Sequence, residues 1–301
     1  MAPKKPRVSA SLLTVTTAAE VEEALAMGVK VNGLVDMTTP LVSACQRGEL
    51  EVVDCLLNHG ADPNLSNPRS YWNPIQAAAK EGHAAIVERL ARAGADINDN
   101  RKEKATALVF ASQQGHVDVV DCLLSLGANT EVTDSQGRTA LMWASVKGRI
   151  DVVDRLLAAG CNVNAQQKDG ITALMFAAEG NHLPIVDRLV VFGADFHLLD
   201  NRGRNTLMRA CIEGHVPIID RILSLGCDIN AQDPEGWTPL MWACFNQRVD
   251  AVRFLLDHGA DKMPFNKDGN RAIELIDGNI SIRAILKKSL NLELSLDLSL
   301  S

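Results

Sequence analysis

Residues 134–166 read DSQGRTALMWASVKGRIDVVDRLLAAGCNVNAQ, and this stretch of 33 residues decides the fold. Thr139 is placed to cap a short apolar helix that ends at Gly148. A second helix begins near Asp151, and its apolar residues recur at i, i+3 and i+4 spacing until Gly160 ends it. The stretch therefore predicts two short helices with a polar connecting segment after them.

The same pattern recurs along the chain with a period of 33 residues, apart from one step of 34. Each unit has an apolar residue at one equivalent position of its first helix: Leu41, Ile75, Leu108, Leu141, Leu174, Leu207, Leu240 and Ile273. A glycine follows 19 residues after each of the first seven. Because two short helices cannot bury both apolar stripes alone, neighbouring units must stack and share a core. The sequence predicts an all-α helical repeat solenoid of seven to eight units with capping units.

Three segments of these repeats resemble the characteristic segments of the ankyrin repeat family. They are TPLMWA at 238–243, EGH at 213–215 and GAD at 193–195. The resemblance covers about residues 18–286. It implies antiparallel helix pairs, hairpin-like fingers between successive pairs, and a concave face that binds partners.

Three segments are expected along the chain. Residues 1–17 are interpreted as a flexible basic N-terminal segment, residues 18–287 as the ankyrin-like repeat domain, and residues 288–301 as a tail in which leucine alternates with polar residues. Residues 20–25 have the pattern of a second helix without its first, and residues 271–286 have the pattern of a closing unit. Such terminal units need a polar outer face.

The composition narrows the classes of function. The net charge is -7, which disfavours a general nucleic-acid binder because phosphate neutralisation needs clustered cations. No run approaches the roughly 18 apolar residues that cross a bilayer, so membrane insertion is not expected. Seven cysteines without a C-x-x-C pair indicate a reducing compartment rather than a disulfide framework or a zinc site.

Histidines and cysteines occupy repeated positions, so their side chains should run parallel along the stack rather than converge. Four histidines share the turn between the two helices of a unit: His83, His116, His182 and His215. Carboxylates on the second helices face arginines of neighbouring units and predict a ladder of surface ion pairs. We expect no catalytic residue, no metal site and no cofactor.

The column three residues before each repeated apolar residue contains the strongest candidates for partner binding. Trp72, Arg138, Arg204 and Trp237 belong to it, and Tyr71 precedes Trp72 in a loop stiffened by prolines. Tryptophan and arginine are enriched at binding hot spots. The alternative is that each of these side chains only packs on the next finger.

Two further columns lead to specific expectations. Two residues after the repeated apolar position, Phe and Trp side chains are expected in the core, and Arg209 is expected either as a cation–π partner between Phe176 and Trp242 or as a partner of Glu213. Four residues before it, most units have glycine, but the first three have Met37, Tyr71 and Lys104. A left-handed turn is costly for these residues, so the first three fingers should have another shape.

These features favour a non-enzymatic scaffold or adaptor that binds a client protein or peptide on its concave face. A monomer in the cytoplasm, the nucleus or both is expected. One alternative is an oligonucleotide or small-ligand sensor that uses Trp72, Arg138, Arg204 and Trp237 for stacking and phosphate contacts. Another is a nuclear transcriptional co-regulator, suggested by the basic cluster Lys4-Lys5-Pro6-Arg7 and the C-terminal tail.

The tail contains Leu292, Leu294, Leu296 and Leu298, separated by single polar residues. A period of two predicts an extended strand with every leucine on one face. The tail resembles the L-x-L-x-L motif by which repressors in plants engage co-repressors. It is interpreted either as a docking motif for a partner or as a cover for the last unit.

Overall fold

The computed structural model describes residues 12–68, 72–100, 105–276 and 278–297, with side chains up to residue 288. Within these ranges the chain is helical, and the prediction of an all-α fold is confirmed. Sixteen α-helices lie in the described ranges: Ala18–Ala26 (α1), Pro40–Arg47 (α2), Leu50–Asn58 (α3), Pro74–Glu81 (α4), Ala84–Arg92 (α5), Ala107–Gln114 (α6), Val117–Ser125 (α7), Ala140–Val146 (α8), Ile150–Ala158 (α9), Ala173–Glu179 (α10), Leu183–Val191 (α11), Thr206–Glu213 (α12), Val216–Ser224 (α13), Pro239–Phe245 (α14), Val249–Asp257 (α15) and Ile280–Asp297 (α16).

The helices form pairs, and we call the first helix of a pair inner and the second outer. The chain divides into two compact units, one of residues 1–144 with 151–161 and the other of residues 145–150 with 162–301. In the first unit α2, α4 and α6 pack in sequence, as do the outer helices α1, α3, α5 and α7. In the second unit the inner helices α10, α12 and α14 pack in the same way, beside the outer helices α11, α13 and α15.

Capping residues set where the inner helices begin. Thr39, Asn73, Thr172 and Thr238 each accept a hydrogen bond from the backbone N–H three residues later. This satisfies one of the free N–H groups at a helix start. The outer helices α3, α5, α7, α11, α13 and α15 begin without such a side-chain cap.

The histidines at the turn between inner and outer helix connect successive pairs. His116 Nε2 lies 2.9 Å from the carbonyl oxygen of Lys80, and His215 Nε2 lies 2.9 Å from that of Glu179. The imidazole of His116 also packs on Gly82, where an added Cβ would lie 2.9 Å from the ring. These contacts give the histidines a packing role, in agreement with their repeated spacing.

The predicted ladder of ion pairs is present on the outer helices. Three of its contacts join an arginine of one pair to an aspartate of the preceding pair. The N–O distances are 2.5 Å for Arg89–Asp54, 3.2 Å for Arg155–Asp121 and 2.5 Å for Arg221–Asp187. Because these side chains are partly exposed, each pair contributes about 0–1 kcal/mol.

Five of the connections between helix pairs, here called fingers, share one turn. The N–H of one finger residue donates to the carbonyl of the fourth residue after it, with N–O distances of 3.0–3.1 Å. The pairs are Asp134–Arg138, Gln167–Ile171, Asp200–Arg204, Asp233–Trp237 and Asn266–Asn270. In the second finger Asn67 donates to Trp72 instead, five residues on, at 2.9 Å. The 34-residue step is therefore one extra residue in this finger.

The first finger differs from the others, as predicted, but not for the predicted reason. Val35 and Thr38 exchange both backbone hydrogen bonds around Asp36 and Met37, whose φ angles are +50° and +64°. Two positive φ values define a tight hairpin turn of type I′. Met37 therefore adopts the left-handed conformation that it was expected to avoid. Tyr71 and Lys104 lie outside the described residues.

The described part of the N-terminal segment is packed, so the expectation of a flexible segment reaching residue 17 is wrong for residues 12–17. Leu12 is only 1% exposed. Arg47 of α2 donates to the carbonyl oxygens of Leu13 at 2.6 Å and Val15 at 2.8 Å. These contacts bring the segment against α2, and Thr17 caps α1.

The closing unit has the predicted position but a different local structure. Its inner element is a 3₁₀ turn, Ala272–Glu274, and its outer element is α16, whose Ile282 and Leu286 are buried. The expectation of an extended tail from residue 288 is wrong as far as Asp297, because the helical backbone continues to that residue. Leucine and glutamate are good helix formers, and a helix satisfies its backbone hydrogen bonds without a partner strand.

Candidate functional site

The first unit contains an aromatic cleft of about 280 Å³, here called the Trp72 cleft. Trp72, Phe110 and Trp143 line it, together with Gln113 and Asp134. The rings of Trp72 and Phe110 stack with centroids 4.6 Å apart and an angle of 30°. The Lys80 ammonium lies 4.9 Å from the centre of the Trp72 ring, and this cation–π contact stabilises the exposed edge of the stack.

Trp143 is fixed in this cleft by the finger that precedes its helix. Its Nε1–H donates to Asp134 Oδ2 at 2.8 Å. The other carboxylate oxygen of Asp134 accepts from the backbone N–H groups of Gln136 at 2.8 Å and Arg138 at 2.9 Å. The guanidinium of Arg138 lies 4.8 Å from the centre of the Trp143 ring. One carboxylate thus shapes the finger and holds the indole.

The second unit contains a larger cleft of about 450 Å³, here called the Trp237 cleft. Its aromatic wall consists of Trp237 and Trp242, which stack with centroids 4.6 Å apart. Arg202 and Glu235 add charges of opposite sign to the lining. Phe245 meets Trp237 edge-on at 5.3 Å, and 54% of Phe245 is exposed. A phenylalanine with this exposure beside two indoles is an unusual surface feature.

Trp242 is held in the same way as Trp143. Its Nε1–H donates to Asp233 Oδ2 at 3.1 Å, and Asp233 Oδ1 accepts from the backbone N–H groups of Glu235 and Trp237. The guanidinium of Arg204 lies 5.7 Å from the Trp242 ring centre. The Trp242 ring is therefore contacted by a guanidinium cation and by a second indole.

Arg209 makes neither of the two interactions expected for it. Its guanidinium is buried and pairs with Glu179 and with Asp200 Oδ2, the latter at 2.5 Å. Glu213 pairs with Arg248 instead. Like the indoles of Trp143 and Trp242, its guanidinium reaches the finger carboxylate nine residues before it.

Asp200 lies between two arginines, since Arg204 also contacts its Oδ2, at 2.8 Å. Burial raises the pKa of Asp200, but hydrogen bonds from the Arg204 backbone N–H and from the Arg204 and Arg209 side chains, with the positive charge of Arg209, outweigh it. The pKa of this carboxyl is therefore below its ordinary value of 3.8. The group is ionised at neutral pH and neutralises the buried guanidinium.

The structure brings the predicted binding residues together in pairs. Trp72 and Arg138 contact the aromatic rings of the first cleft, and Arg204 and Trp237 those of the second. Tyr71 and Leu298 lie outside the described residues, as do the side chains of the other tail leucines, so the tail motif stays a prediction.

Sequence reasoning missed part of both clefts. Phe110, Trp143 and Trp242 were expected in the core, but they are half-buried and line the clefts, whereas Phe176 is buried as expected. The signal that could have identified them is the nine-residue spacing between an aspartate and a tryptophan, at 134 and 143 and again at 233 and 242.

Burial explains the state of the cysteines. It raises the pKa of Cys161 and Cys244 to about 12 and that of Cys227 to about 11. Thiols with such values are protonated at neutral pH and poor nucleophiles. In the part of the chain with described side chains, no three His, Cys, Asp or Glu residues form a metal-binding group. Among the described helices, none is long and apolar enough to cross a membrane.

Curated relatives match short segments of the chain. Cyclin-dependent kinase 4 inhibitor B of Homo sapiens is 33% identical over 82 residues, which are 27% of this chain and 59% of that protein. The 2-5A-dependent ribonuclease of Mus musculus is 34% identical over 78 residues, which are 26% of this chain and 11% of that protein. The match thus spans less than two thirds of the length of either relative.

A solved structure shares the fold. The ankyrin repeat domain of human ASB11 superimposes with a TM-score of 0.66 and 23% identity, covering 72% of this chain and 98% of that one. The family model described as "Ankyrin repeats (3 copies)" matches residues 18–101, 75–167, 148–233 and 174–266. These matches together extend over most of the chain. The chain therefore belongs to the ankyrin repeat family, whose domains are typically protein–protein interaction modules.

Proposed function

We propose that this protein is a non-enzymatic scaffold or adaptor that binds a client protein through the Trp72 cleft and the Trp237 cleft. The observation that supports this most directly is the pair of half-exposed aromatic clefts, each with a ring stack, an arginine over one indole and a carboxylate that holds that indole. Rigid Trp and Arg side chains are the residue types that dominate binding energy at protein interfaces. Catalysis, where needed, belongs to the client.

The relatives support a binding role without naming the client. A protein whose name specifies inhibition of cyclin-dependent kinase 4 acts on another protein. Since the match covers only part of that relative, a kinase is one class of client to test rather than an assignment. The cytoplasm and the nucleus are both proposed locations.

The test is quantitative capture of partners from a cell extract by the purified chain. Two variants each disable one cleft, Trp72→Ala with Arg138→Ala and Arg204→Ala with Trp237→Ala. The control is Arg89→Ala with Arg221→Ala, which removes two arginines from the outer ladder. We expect the wild type and the control to capture at least one partner equally. A cleft variant should capture about tenfold less of it or lower still, because each hot-spot side chain contributes 2 kcal/mol or more to binding. Helical circular dichroism should be retained. Equal capture by all variants would contradict the proposal.

A second candidate function is binding of a small planar anion such as a nucleotide in the Trp72 cleft. The specific observation is the combination of a stacked indole, the Lys80 ammonium 4.9 Å from its ring and Arg138 beside Trp143. Bases stack on aromatic rings while cations contact phosphate. One relative is named as dependent on 2-5A.

Titration with ATP and with 2-5A at two salt concentrations separates the two candidates. A ligand held by Lys80 and Arg138 should bind more weakly at higher salt, and Lys80→Ala should reduce its affinity. Absence of any thermal shift with either compound at millimolar concentration would remove this candidate and leave the protein-binding role.

A further inference from the structure

At one finger position, the residue type varies between repeats together with a residue on the inner helix that comes next in the chain. The finger residue is the one whose N–H closes the finger turn. In the structure it is Asn67, Asp134, Gln167, Asp200, Asp233 or Asn266, according to the repeat. Three of these residues are carboxylates and three are amides. In all but Asn67 the carbonyl partner lies four residues on and the turn is alike, so the finger turn alone does not explain why some repeats have an ionised side chain.

The residue on the following inner helix accounts for the difference. Where that residue has an N–H donor, the finger has an aspartate: Asp134 with Trp143, Asp200 with Arg209 and Asp233 with Trp242. Where it has none, the finger has an amide: Asn67 with Ala77, Gln167 with Phe176 and Asn266 with Leu275. These six fingers thus fall into two groups, while the first finger, with its hairpin turn, belongs to neither and the third lies partly outside the described residues.

The chemistry of the carboxylate explains this separation. In Asp233 one oxygen accepts from the backbone N–H groups of Glu235 and Trp237, which forms the finger turn, and the other accepts from the Trp242 indole. An asparagine can form the turn, as Asn266 does by accepting from the Asn270 N–H at 2.8 Å. Its remaining NH₂ group is a donor and cannot accept an indole N–H.

We propose that Asp134 and Asp233 are positioning residues, which hold the indoles of Trp143 and Trp242 in the orientation that forms the two clefts. The hydrogen bond fixes the rotation of each indole about its Cβ–Cγ bond, and the Trp237–Trp242 stack and the contact of Arg138 with the Trp143 ring depend on that rotation. The indole N–H groups are then occupied within the chain, and a partner meets ring faces and edges. The consequence for binding rests on the proposed function, whereas the hydrogen bonds themselves do not.

The first test measures the indole protons directly. The full chain is labelled with ¹⁵N-tryptophan, its four indole signals are assigned with Trp→Phe variants, and exchange with solvent is followed. We expect Asp233→Asn to accelerate exchange of the Trp242 indole proton about tenfold or more, as loss of a charge-assisted bond implies, and to leave Trp143 unchanged. Asp134→Asn should do the reverse, so each variant is the control for the other. Unchanged exchange in both variants would overturn the proposal.

A double-mutant cycle separates positioning from a purely structural role. Asp233→Asn should lower the equilibrium constant for folding about 5- to 30-fold when residue 242 is tryptophan. In the Trp242→Phe background, which has no indole N–H, the effect should be less than about twofold. Equal effects in the two backgrounds would show that Asp233 serves the turn alone.

Partner capture completes the test. A partner that depends on the clefts should bind Asp134→Asn or Asp233→Asn about tenfold more weakly while circular dichroism is retained. If the indole protons respond as expected but no partner is captured even by the wild type, the positioning role stands and the proposed function fails. If a partner is captured equally by all forms, the role of these aspartates in binding is wrong.

Discussion

At the scale of single residues, one repeat accommodates a buried arginine, Arg209, by pairing it with carboxylates. Arg209 occupies a column in which four other repeats have aromatic rings, and its guanidinium is buried. Asp200 neutralises it and also receives Arg204, while Glu179 takes the remaining side of the guanidinium. A buried ion pair of this kind is costly to break because the remaining charge stays desolvated.

Asp200→Asn should therefore destabilise the second unit, by about 1.5–3 kcal/mol, the value of hydrogen bonds to charged groups. Because asparagine keeps an oxygen that accepts the hydrogen bonds of the finger turn, the loss of stability measures the contribution of the Asp200 charge. Because the pKa of Asp200 is lowered on folding, its contribution is present above 3.8 and is lost as pH falls through the lower folded value.

Urea unfolding of the wild type and Asp200→Asn at several pH values checks this. The difference in stability should be largest near neutral pH and should vanish in the acid range. A difference that stays constant from pH 7 to below 3 would show that the charge of Asp200 is not responsible.

The glycine at the turn between the helices of a pair has two separate requirements. Gly148 has a φ of +68°, and an added Cβ would lie 2.7 Å from His182. Gly193, which instead follows the outer helix α11, also has a positive φ, +85°, but no atom lies within 4 Å of an added Cβ. Gly148→Ala should therefore cost about 1–3 kcal/mol more than Gly193→Ala, because it adds overpacking to backbone strain.

The same column supplies a change in the opposite direction. Gln247, at the position that Gly148 occupies in its repeat, has a φ of +57° where most other repeats have glycine. Gln247→Gly should stabilise the chain by about 1 kcal/mol. Thermal unfolding of the three variants measures both effects, and equal costs for the two alanine substitutions would exclude the histidine contact as a cause.

At the scale of elements, the ends of the chain depart most from the repeat. Residues 12–17 replace a first inner helix and reach α2 through Arg47, which is also paired with Glu49 at 2.5 Å. At the other end, α16 covers the last pair with Ile282 and Leu286. At both ends, a segment that departs from the repeat pattern therefore covers an apolar face, in line with the capping role of terminal repeats.

Arg47→Ala should release residues 12–17 and expose α1. Each hydrogen bond from a guanidinium contributes about 1.5–3 kcal/mol, and the substitution removes bonds to two carbonyl groups. Hydrogen exchange should become faster for residues 12–26 and stay unchanged in α5. Arg92→Ala, which removes an exposed pair with Glu88, is the matched control. Similar exchange in the two variants would argue against a role for Arg47 at this end.

At the scale of the whole molecule, the periodic part of the structure follows from the sequence and the rest does not. Thr139 and Gly148 set α8 because caps and stops act through neighbouring residues. The hydrogen bond from Trp143 to Asp134 depends on a finger folding back over a helix, which a helical pattern does not encode. The prediction of an extended tail was wrong because leucines at every second position do not show whether a partner strand exists.

Exchange along the chain should reveal a difference in local stability. The first finger has Met37 in a left-handed conformation and the second has an extra residue, whereas the fingers from Asp134 onward share one turn. Repeat arrays can unfold in parts. Amide protons before Leu108 should therefore exchange faster than those between Leu141 and Leu256. Uniform protection across these segments would contradict this expectation.

The extra residue of the second finger has an evolutionary consequence. The hydrogen bond from Asn67 still closes on Trp72, so the insertion is absorbed between them, and the helices on either side keep their caps. A mutation that lengthens a fingertip is thus nearly neutral for the stack, while it changes what the tip presents to a partner. Natural variation and laboratory selection can therefore explore new loop lengths at these tips without first having to repair the core.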